Sequence, residues 1–130
     1  MGDITKNFSR SEIKCPCCGL DNISKVLMSD LQSVRDEIDR PMTITSGVRC
    51  AAHNAKIGGV AASSHVPRDD GPGWAVDIAC SASRDRYHLI SILCRFFTRI
   101  GVGATFVHID IDPEKTGDVM WDYYKTEHVA

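Results

Sequence analysis

The chain lacks both a long apolar segment and an excess of charge of either sign. No continuous apolar run approaches the roughly 20 residues that a helix needs to cross a bilayer, and the first residues, MGDITKNFSRSEIK, lack the apolar centre of a signal peptide. With 15 basic and 17 acidic residues the net charge is -2, which gives no electrostatic basis for binding nucleic acid or an anionic membrane. We therefore expect a protein that is cytoplasmic as synthesised and has neither a nucleic acid nor a membrane as its partner.

The length of 130 residues predicts a single domain over residues 1–130, large enough to bury a core without disulfides. The sequence shows no internal repeat and no linker, and we expect a monomer. Without an export signal its cysteines are expected to be reduced thiols or metal ligands. There are six of them: Cys15, Cys17, Cys18, Cys50, Cys80 and Cys94. The last two lie among apolar neighbours and are expected to pack in the core.

Hydrophobic periodicity predicts an α+β fold, an antiparallel sheet flanked by helices. Apolar residues at helical spacing predict helices over 24–39, from 51 to the Gly58-Gly59 pair, and over 83–100, the longest of the three. Short apolar or alternating runs predict strands over 42–45, 74–79, 106–111 and 119–124. The two prolines, two glycines and two aspartates of residues 66–73 predict a loop.

His65, Asp77 and His108 are the candidate metal ligands. Two imidazoles and one carboxylate are what a hydrolytic zinc ion takes from a protein while one coordination position stays open. Asp77 and His108 each lie in a predicted strand, and His65 precedes the loop that leads to Asp77. Two adjacent strands of one sheet would bring the three side chains together, which predicts a Zn²⁺ site.

The strand that carries His108 offers a second carboxylate. The period of two places His108 and Asp110 on one face, and Val107 and Ile109 on the other, toward the core. Asp110 is then within reach of either a water at the metal or the imidazole of His108. Two roles follow, a general base or a partner that fixes the orientation of the His108 ring. The sequence leaves both open.

Several ordered motifs resemble the M15 peptidases. The stretches ITSGVRCAAHNAKIGG, SSH, GWAVDI and FVHIDI are similar to the phage-type D-Ala-D-Ala carboxypeptidase branch, which is related to VanX-type dipeptidases and to the zinc domain of Hedgehog. The similarity runs over residues 8–112. The resemblance implies a Hedgehog/D-Ala-D-Ala peptidase-like fold, zinc bound by His65, Asp77 and His108, and Arg49 at the scissile carbonyl or the substrate carboxylate.

Two departures from the family pattern concern the site. Seven residues, VPRDDGP, separate His65 from Gly73, an insertion of about five that a loop tolerates at small entropic cost. We expect this loop to narrow the substrate cleft or to contact the substrate. Many relatives also place an acid three residues before the last histidine ligand, where this chain has Thr105. Asp110 is the nearest substitute and is predicted to be the catalytic base.

The function that the resemblance implies is hydrolysis of peptidoglycan stem or cross-link peptides by a zinc metallopeptidase, either a D-Ala-D-Ala carboxypeptidase or an endopeptidase. The absence of a signal segment and the phage-type resemblance suggest a phage lysin that reaches the wall after lysis, or a virion component. The alternative is a non-catalytic zinc-binding domain used for wall binding or virion assembly. Thr105 and the lengthened loop are the features that leave that alternative open.

A second metal site is a further hypothesis. The ligand types and spacing of a structural Cys3His zinc site occur at Cys15, Cys18, Cys50 and His53. Cys17 is an alternative partner in the first half, and reduced packed thiols or a disulfide are the competing explanations. His88 and His128 are expected to have no role in a site.

Overall fold

The computed structural model describes residues 2–124 of the chain, so His128 lies outside the described residues. The helices are α1 (Arg10–Ile13), α2 (Lys25–Ile38), α3 (Ala51–Lys56) and α4 (Ser83–Leu93), and the strands are β1 (Ile44–Ser46), β2 (Ala75–Ala79), β3 (Arg99–Val102), β4 (Phe106–Asp110) and β5 (Val119–Asp122). Within residues 2–124, no helix has the length and apolarity to span a membrane.

The five strands form one sheet in the order β1-β2-β4-β3-β5. The pairs β1–β2, β2–β4 and β3–β4 are antiparallel, whereas β5 runs parallel to β3 at the edge. The predicted α+β class is confirmed. The parallel edge strand is a feature that the sequence patterns did not predict.

The core lies between α2, α4 and one face of the sheet. Ser24 starts α2, where its Oγ accepts a hydrogen bond from Leu27 N, and Asp39 ends it in the left-handed conformation. The buried face of α2 joins alternate residues of the two central strands in one apolar cluster. Its fully buried members include Leu27, Leu31, Val34, Val76, Val107 and Ile109. The opposite face of β2 and β4 is thereby left to carry polar side chains.

The predicted helix over 83–100 is wrong in its second half. Helix α4 ends at Leu93, and residues 99–102 form β3. Ile100 pairs with Ile109 of β4 on one side and with Met120 of β5 on the other, so non-local hydrogen bonds override the helical spacing of the sequence. The expectation that Cys94 packs in the core is also wrong, because it is exposed, whereas Cys80 is buried.

Candidate metal centre

The register between β2 and β4 places Asp77 directly opposite His108. His65 reaches the same point from the loop before β2, where its backbone carbonyl accepts a hydrogen bond from Arg49 N at 3.0 Å. All three residues are buried, with 2%, 7% and 6% of the surface of His65, Asp77 and His108 exposed. The predicted adjacency of these side chains is confirmed.

The ligand atoms of these residues form a small triangle. Asp77 Oδ1 lies 3.2 Å from His65 Nε2 and 2.9 Å from His108 Nδ1, and the two nitrogens are 3.2 Å apart. In a tetrahedral zinc site with ligands at about 2.0–2.1 Å, neighbouring donor atoms lie about 3.3–3.4 Å apart. A slight expansion of the triangle therefore accommodates a metal ion, and the two nitrogens and one oxygen suit a divalent transition metal.

The outer nitrogen of each imidazole is held by a hydrogen bond. His65 donates from Nδ1 to the Gly47 carbonyl at 2.7 Å, and His108 donates from Nε2 to Asp110 Oδ2 at 2.7 Å. These partners assign the proton to the outer nitrogen and leave the lone pairs of His65 Nε2 and His108 Nδ1 facing Asp77. Both rings are thus presented in the tautomer that a metal ion requires.

The electrostatics of the cluster keep Asp77 ionised. Burial opposes ionisation of this carboxyl, but a His108 or His65 ring that carries a second proton on its inner nitrogen donates to Asp77, and these contacts outweigh burial and hold the pKa of Asp77 below its usual range. Burial also lowers the pKa of His65, which favours the neutral ring. For His108 burial acts in the same direction, but Asp110 and Asp77 prevail and raise its pKa. Metals bind a carboxylate and neutral rings, so Asp77 and His65 are held in their ligand forms, whereas an ion at this site would have to displace the second proton that the raised pKa of His108 favours.

Asp110 is almost fully buried, at 1% exposure, and both of its oxygens are engaged. Oδ2 accepts from His108 Nε2, while Oδ1 accepts from Arg99 Nε at 2.7 Å and from Asp112 N at 3.1 Å. Burial raises the pKa of Asp110, but His108, Asp112 N and Arg99 together lower it below the usual value. Arg99, which lies on β3, was missed because its segment was predicted to be helical.

Arg49 lies beside the ligand triangle. It donates from Nη2 to Asp77 Oδ2 at 3.3 Å, from Nε to Ser46 Oγ at 3.0 Å and from Nη1 to Asn54 Oδ1 at 3.2 Å. Asn54, which the sequence reasoning missed, is fixed in turn by a hydrogen bond to the Val60 carbonyl. A Cβ at Gly59 would stand 2.0 Å from Asn54 Oδ1. The pattern HNAKIGG therefore encodes a support for Arg49.

Two aromatic side chains of the β5 edge, also missed from sequence, lie near His108. The ring centroids of Trp121 and Tyr123 are 5.5 Å and 6.5 Å from that of His108. Gly101, paired with His108 on one side and Trp121 on the other, makes this possible, since a Cβ there would stand 2.8 Å from atoms of both aromatic rings. The available signal was the spacing of two residues between Trp121 in β5 and Tyr123 just after it. We call these two residues the aromatic wall.

A cavity of about 620 Å³ opens above the ligand triangle. Its lining includes His65, Asp77, His108, Arg49, Asp110 and the aromatic wall, together with Arg99, Lys115 and the turn around Gly59. Among the described lining residues none belongs to the loop 66–73, so the expectation that this loop narrows the cleft is wrong for this cavity. Arg68 of the loop instead donates to both oxygens of buried Asp112 and to Glu114.

A second cluster of metal-binding side chains is formed by cysteines. The sulfur atoms of Cys15, Cys18 and Cys50 lie within 4.8 Å of one another, whereas the ring of His53, predicted as the fourth ligand, is outside this group. Burial opposes ionisation of Cys15, but N–H groups of Cys50, Cys18 and Cys17 outweigh it and lower the pKa of its thiol to about 7. The cluster thus contains a thiol that ionises more readily than an isolated cysteine.

A buried pair of histidines and an aspartate, opening onto a cavity beside an arginine, is an arrangement typical of metallohydrolases. The family model for peptidase M15 matches residues 6–112 of the chain, and the chain belongs to this family, as the motifs predicted. The family comprises metallo-enzymes that hydrolyse peptide bonds, so the chain is a peptidase by family. A search of curated proteins finds no match.

Proposed function

We propose that the protein is a zinc metallopeptidase that cleaves peptide bonds in peptidoglycan stem or cross-link peptides, with His65, Asp77 and His108 as the zinc ligands. The observation that carries the proposal is the buried triangle of three ligand atoms at the base of a cavity that also presents Arg49. Three protein ligands leave the open position that distinguishes a catalytic zinc site from a structural one. Zinc bound there would supply polarisation of the scissile carbonyl and a lowered pKa for water.

Arg49 is the residue that we assign to the substrate oxygen. A guanidinium has five N–H donors, and three of them are used on Ser46, Asn54 and Asp77. Two donors are left for a developing oxyanion or a terminal carboxylate. Because the other three hold the group in place, it is preorganised for that contact, which is the condition for stabilising a transition state.

Asp110 is assigned to holding the His108 ring. Of the two roles that the sequence left open, its contacts favour this one, because both oxygens already accept hydrogen bonds from His108, Arg99 and the backbone of Asp112. A general base must reach the proton that it removes, and Asp110 would have to give up one of these bonds to do so. We therefore propose a positioning role in place of the catalytic base predicted from sequence.

The lining of the cavity supports the proposed substrate class. A volume of about 620 Å³ suits a short peptide segment, and Arg49, Arg99 and Lys115 supply positive charge for a carboxylate such as that of a terminal D-alanine. The aromatic wall offers an apolar surface for a small side chain. We propose that the protein reaches the wall as a phage lysin or as a virion component.

The test is amine release from defined wall peptides by the zinc-loaded protein. A pentapeptide that ends in D-Ala-D-Ala and a cross-linked muropeptide distinguish carboxypeptidase from endopeptidase activity by mass spectrometry. His65→Ala should lose both the metal of this site and the activity, whereas His88→Ala, on the exposed face of α4, should keep both. A wild-type protein that holds zinc at the triangle yet releases no amine from either substrate would contradict the proposal.

A second candidate function is a zinc domain that binds wall peptides without cleaving them. The observation in its favour is the position of Thr105, which stands where many relatives have an acid, is exposed and does not line the cavity. Saturable binding of muropeptides without turnover would support this candidate over the first.

A further inference from the structure

The turn formed by Cys15, Pro16, Cys17, Cys18 and Gly19 meets the start of α3, and its cysteines are not among the residues that line the cavity. The turn is closed by hydrogen bonds from Gly19 N to the Cys15 carbonyl at 2.8 Å and from Cys15 N to the Leu20 carbonyl at 2.7 Å. Gly19 has a φ of 79°, a conformation that glycine adopts without strain. Cys50 is the N-cap of α3, so the two segments bring cysteine side chains from distant positions together.

Backbone N–H groups point at the sulfur atoms of this cluster. Cys50 N donates to Cys15 Sγ at 3.4 Å, and His53 N donates to Cys50 Sγ at 3.4 Å. Such donors stabilise a thiolate, which is the form of cysteine that binds metals. The arrangement therefore suits cysteines that bind a metal as thiolates better than thiols that only pack against their neighbours.

We propose that Cys15, Cys18 and Cys50 bind a second, structural zinc ion, and that Cys17 or His53 completes its tetrahedral coordination. Sulfur ligands at about 2.3 Å from zinc lie about 3.8 Å apart, so sulfurs that are already within 4.8 Å of one another need to move by about 1 Å at most. Cys17 is near enough to Cys50 for that thiol to raise its pKa, and His53 follows the N-cap by three residues, with its backbone N already donating to Cys50 Sγ.

The exposure of these cysteines and the number of sulfur atoms in the cluster argue against packed thiols and against a disulfide. Cys17 and Cys18 are exposed and Cys50 is partly exposed, so apolar packing does not account for their grouping. A disulfide joins two sulfurs and would leave the third member of the group unexplained. A divalent ion with soft ligands uses all of them.

This site would hold the loop that carries Arg49. Val48 N donates to the Ile13 carbonyl at 2.7 Å, and Arg49 N to the His65 carbonyl at 3.0 Å. Cys50 follows Arg49 directly, so an ion bound by both Cys15 and Cys50 would fix this segment just after Arg49, while the Val48–Ile13 hydrogen bond fixes it just before. The second zinc would thus act on the peptidase site by positioning Arg49, without contact with the substrate.

The experiment measures metal content and sulfur ligation in the whole chain. We expect two zinc ions per wild-type chain, one in Cys15→Ser and one in His65→Ala. Replacement of zinc by Co²⁺ should give thiolate-to-metal charge-transfer absorption in the near ultraviolet in wild type and in His65→Ala, because the nitrogen and oxygen ligands of the peptidase site do not produce it. Cys15→Ser should lose this absorption, and Cys94→Ser, an exposed cysteine outside the cluster, should keep it.

Further variants keep the test decisive if Cys15→Ser fails to fold. Cys18 is exposed, so Cys18→Ser removes a ligand without opening the core, and its circular dichroism should match that of wild type while the absorption falls. The double variant Cys17→Ser with His53→Ala should bind the ion at least tenfold more weakly. The proposal would be overturned by unchanged zinc affinity in that double variant. It would also be overturned by a single zinc per wild-type chain without thiolate absorption, or by a disulfide found by thiol titration of the unreduced protein.

Discussion

Replacement of Asp110 with asparagine tests how the ligand triangle is held. In the wild type this carboxylate accepts hydrogen bonds from His108 Nε2 and Arg99 Nε at 2.7 Å each. An asparagine has one oxygen for these two donors, and its NH₂ group would face one of them. Either the His108 ring or Arg99 then loses its acceptor, and the ring loses a charged partner in a buried site.

The expected loss of zinc affinity can be judged from what the hydrogen-bond partners of metal-bound histidines contribute in other proteins. Mutation of a group that orients a metal-bound histidine costs about 10- to 100-fold in metal affinity, which is about 1.4–2.8 kcal/mol. We expect Asp110→Asn to weaken zinc binding at the triangle by this factor. Peptidase activity should return in large part when zinc is supplied in excess, because Arg49 and the three ligands are still present.

The first assay measures zinc affinity by competition with a chromophoric chelator, for the site whose zinc is lost in His65→Ala. The second measures peptidase activity at increasing concentrations of free zinc. Asp70→Asn, in the exposed part of the loop, is the matched control and should leave the affinity unchanged. The reasoning is refuted if Asp110→Asn binds zinc as tightly as wild type but loses about 10²- to 10⁴-fold in kcat, the range expected for removal of a general base, with loss of the acidic limb of the pH profile.

Three further predictions concern the surroundings of the triangle. Gly101→Ala should displace the aromatic wall and raise KM for the peptide by about tenfold, or about 1.4 kcal/mol, with unchanged zinc content; an unaltered KM would show that the wall does not contact the substrate. Arg49→Lys should lower kcat/KM by about 10²- to 10³-fold while zinc affinity is kept, and full activity would remove Arg49 from the mechanism. Burial raises the pKa of Asp112, but hydrogen bonds, above all those from Arg68, hold it below its usual range. A carboxyl whose pKa is lower in the folded protein than its value of about 4 in the unfolded protein stabilises the fold above that pH. This stabilisation is lost as the pH falls. The gap in unfolding free energy between wild type and Asp112→Asn, from urea titrations, should therefore be largest near pH 7 and narrow below pH 4, and a constant gap would contradict this.

The ligand triangle could be predicted because the sequence patterns and the sheet agree. Asp77 and His108 each lie in a short apolar run that forms a strand in the structure, and the period of two puts His108 and Asp110 on one face. The family motifs then connected His65 to the same place. What the sequence did not contain was the distribution of hydrogen bonds at Asp110, since this depends on Arg99 reaching it from another strand.

Strand β3 shows why the remaining part could not be predicted. Phe96, Phe97 and Ile100 repeat at the spacing of a helix face, and the spacing of an isolated segment does not reveal the two strands that pair with residues 99–102. The error carried over to the site, because it placed Arg99 on an outer helix face and hid the position of Gly101. The parallel pairing of β5 was missed for the same reason, since it depends on β3 being a strand.

The family match ends at residue 112, whereas the aromatic wall consists of Trp121 and Tyr123. The ligands and the surface beside them are therefore encoded in separate stretches of the chain, which the pairing of β3 with β5 and the contact of Trp121 with the His108 ring bring together. Under the proposed function, a change in the last stretch would alter which peptide is accepted while the residues for the metal stay as they are. For protein engineering, the edge strand is the place to exchange sequence in order to redirect selectivity and leave the chemistry intact.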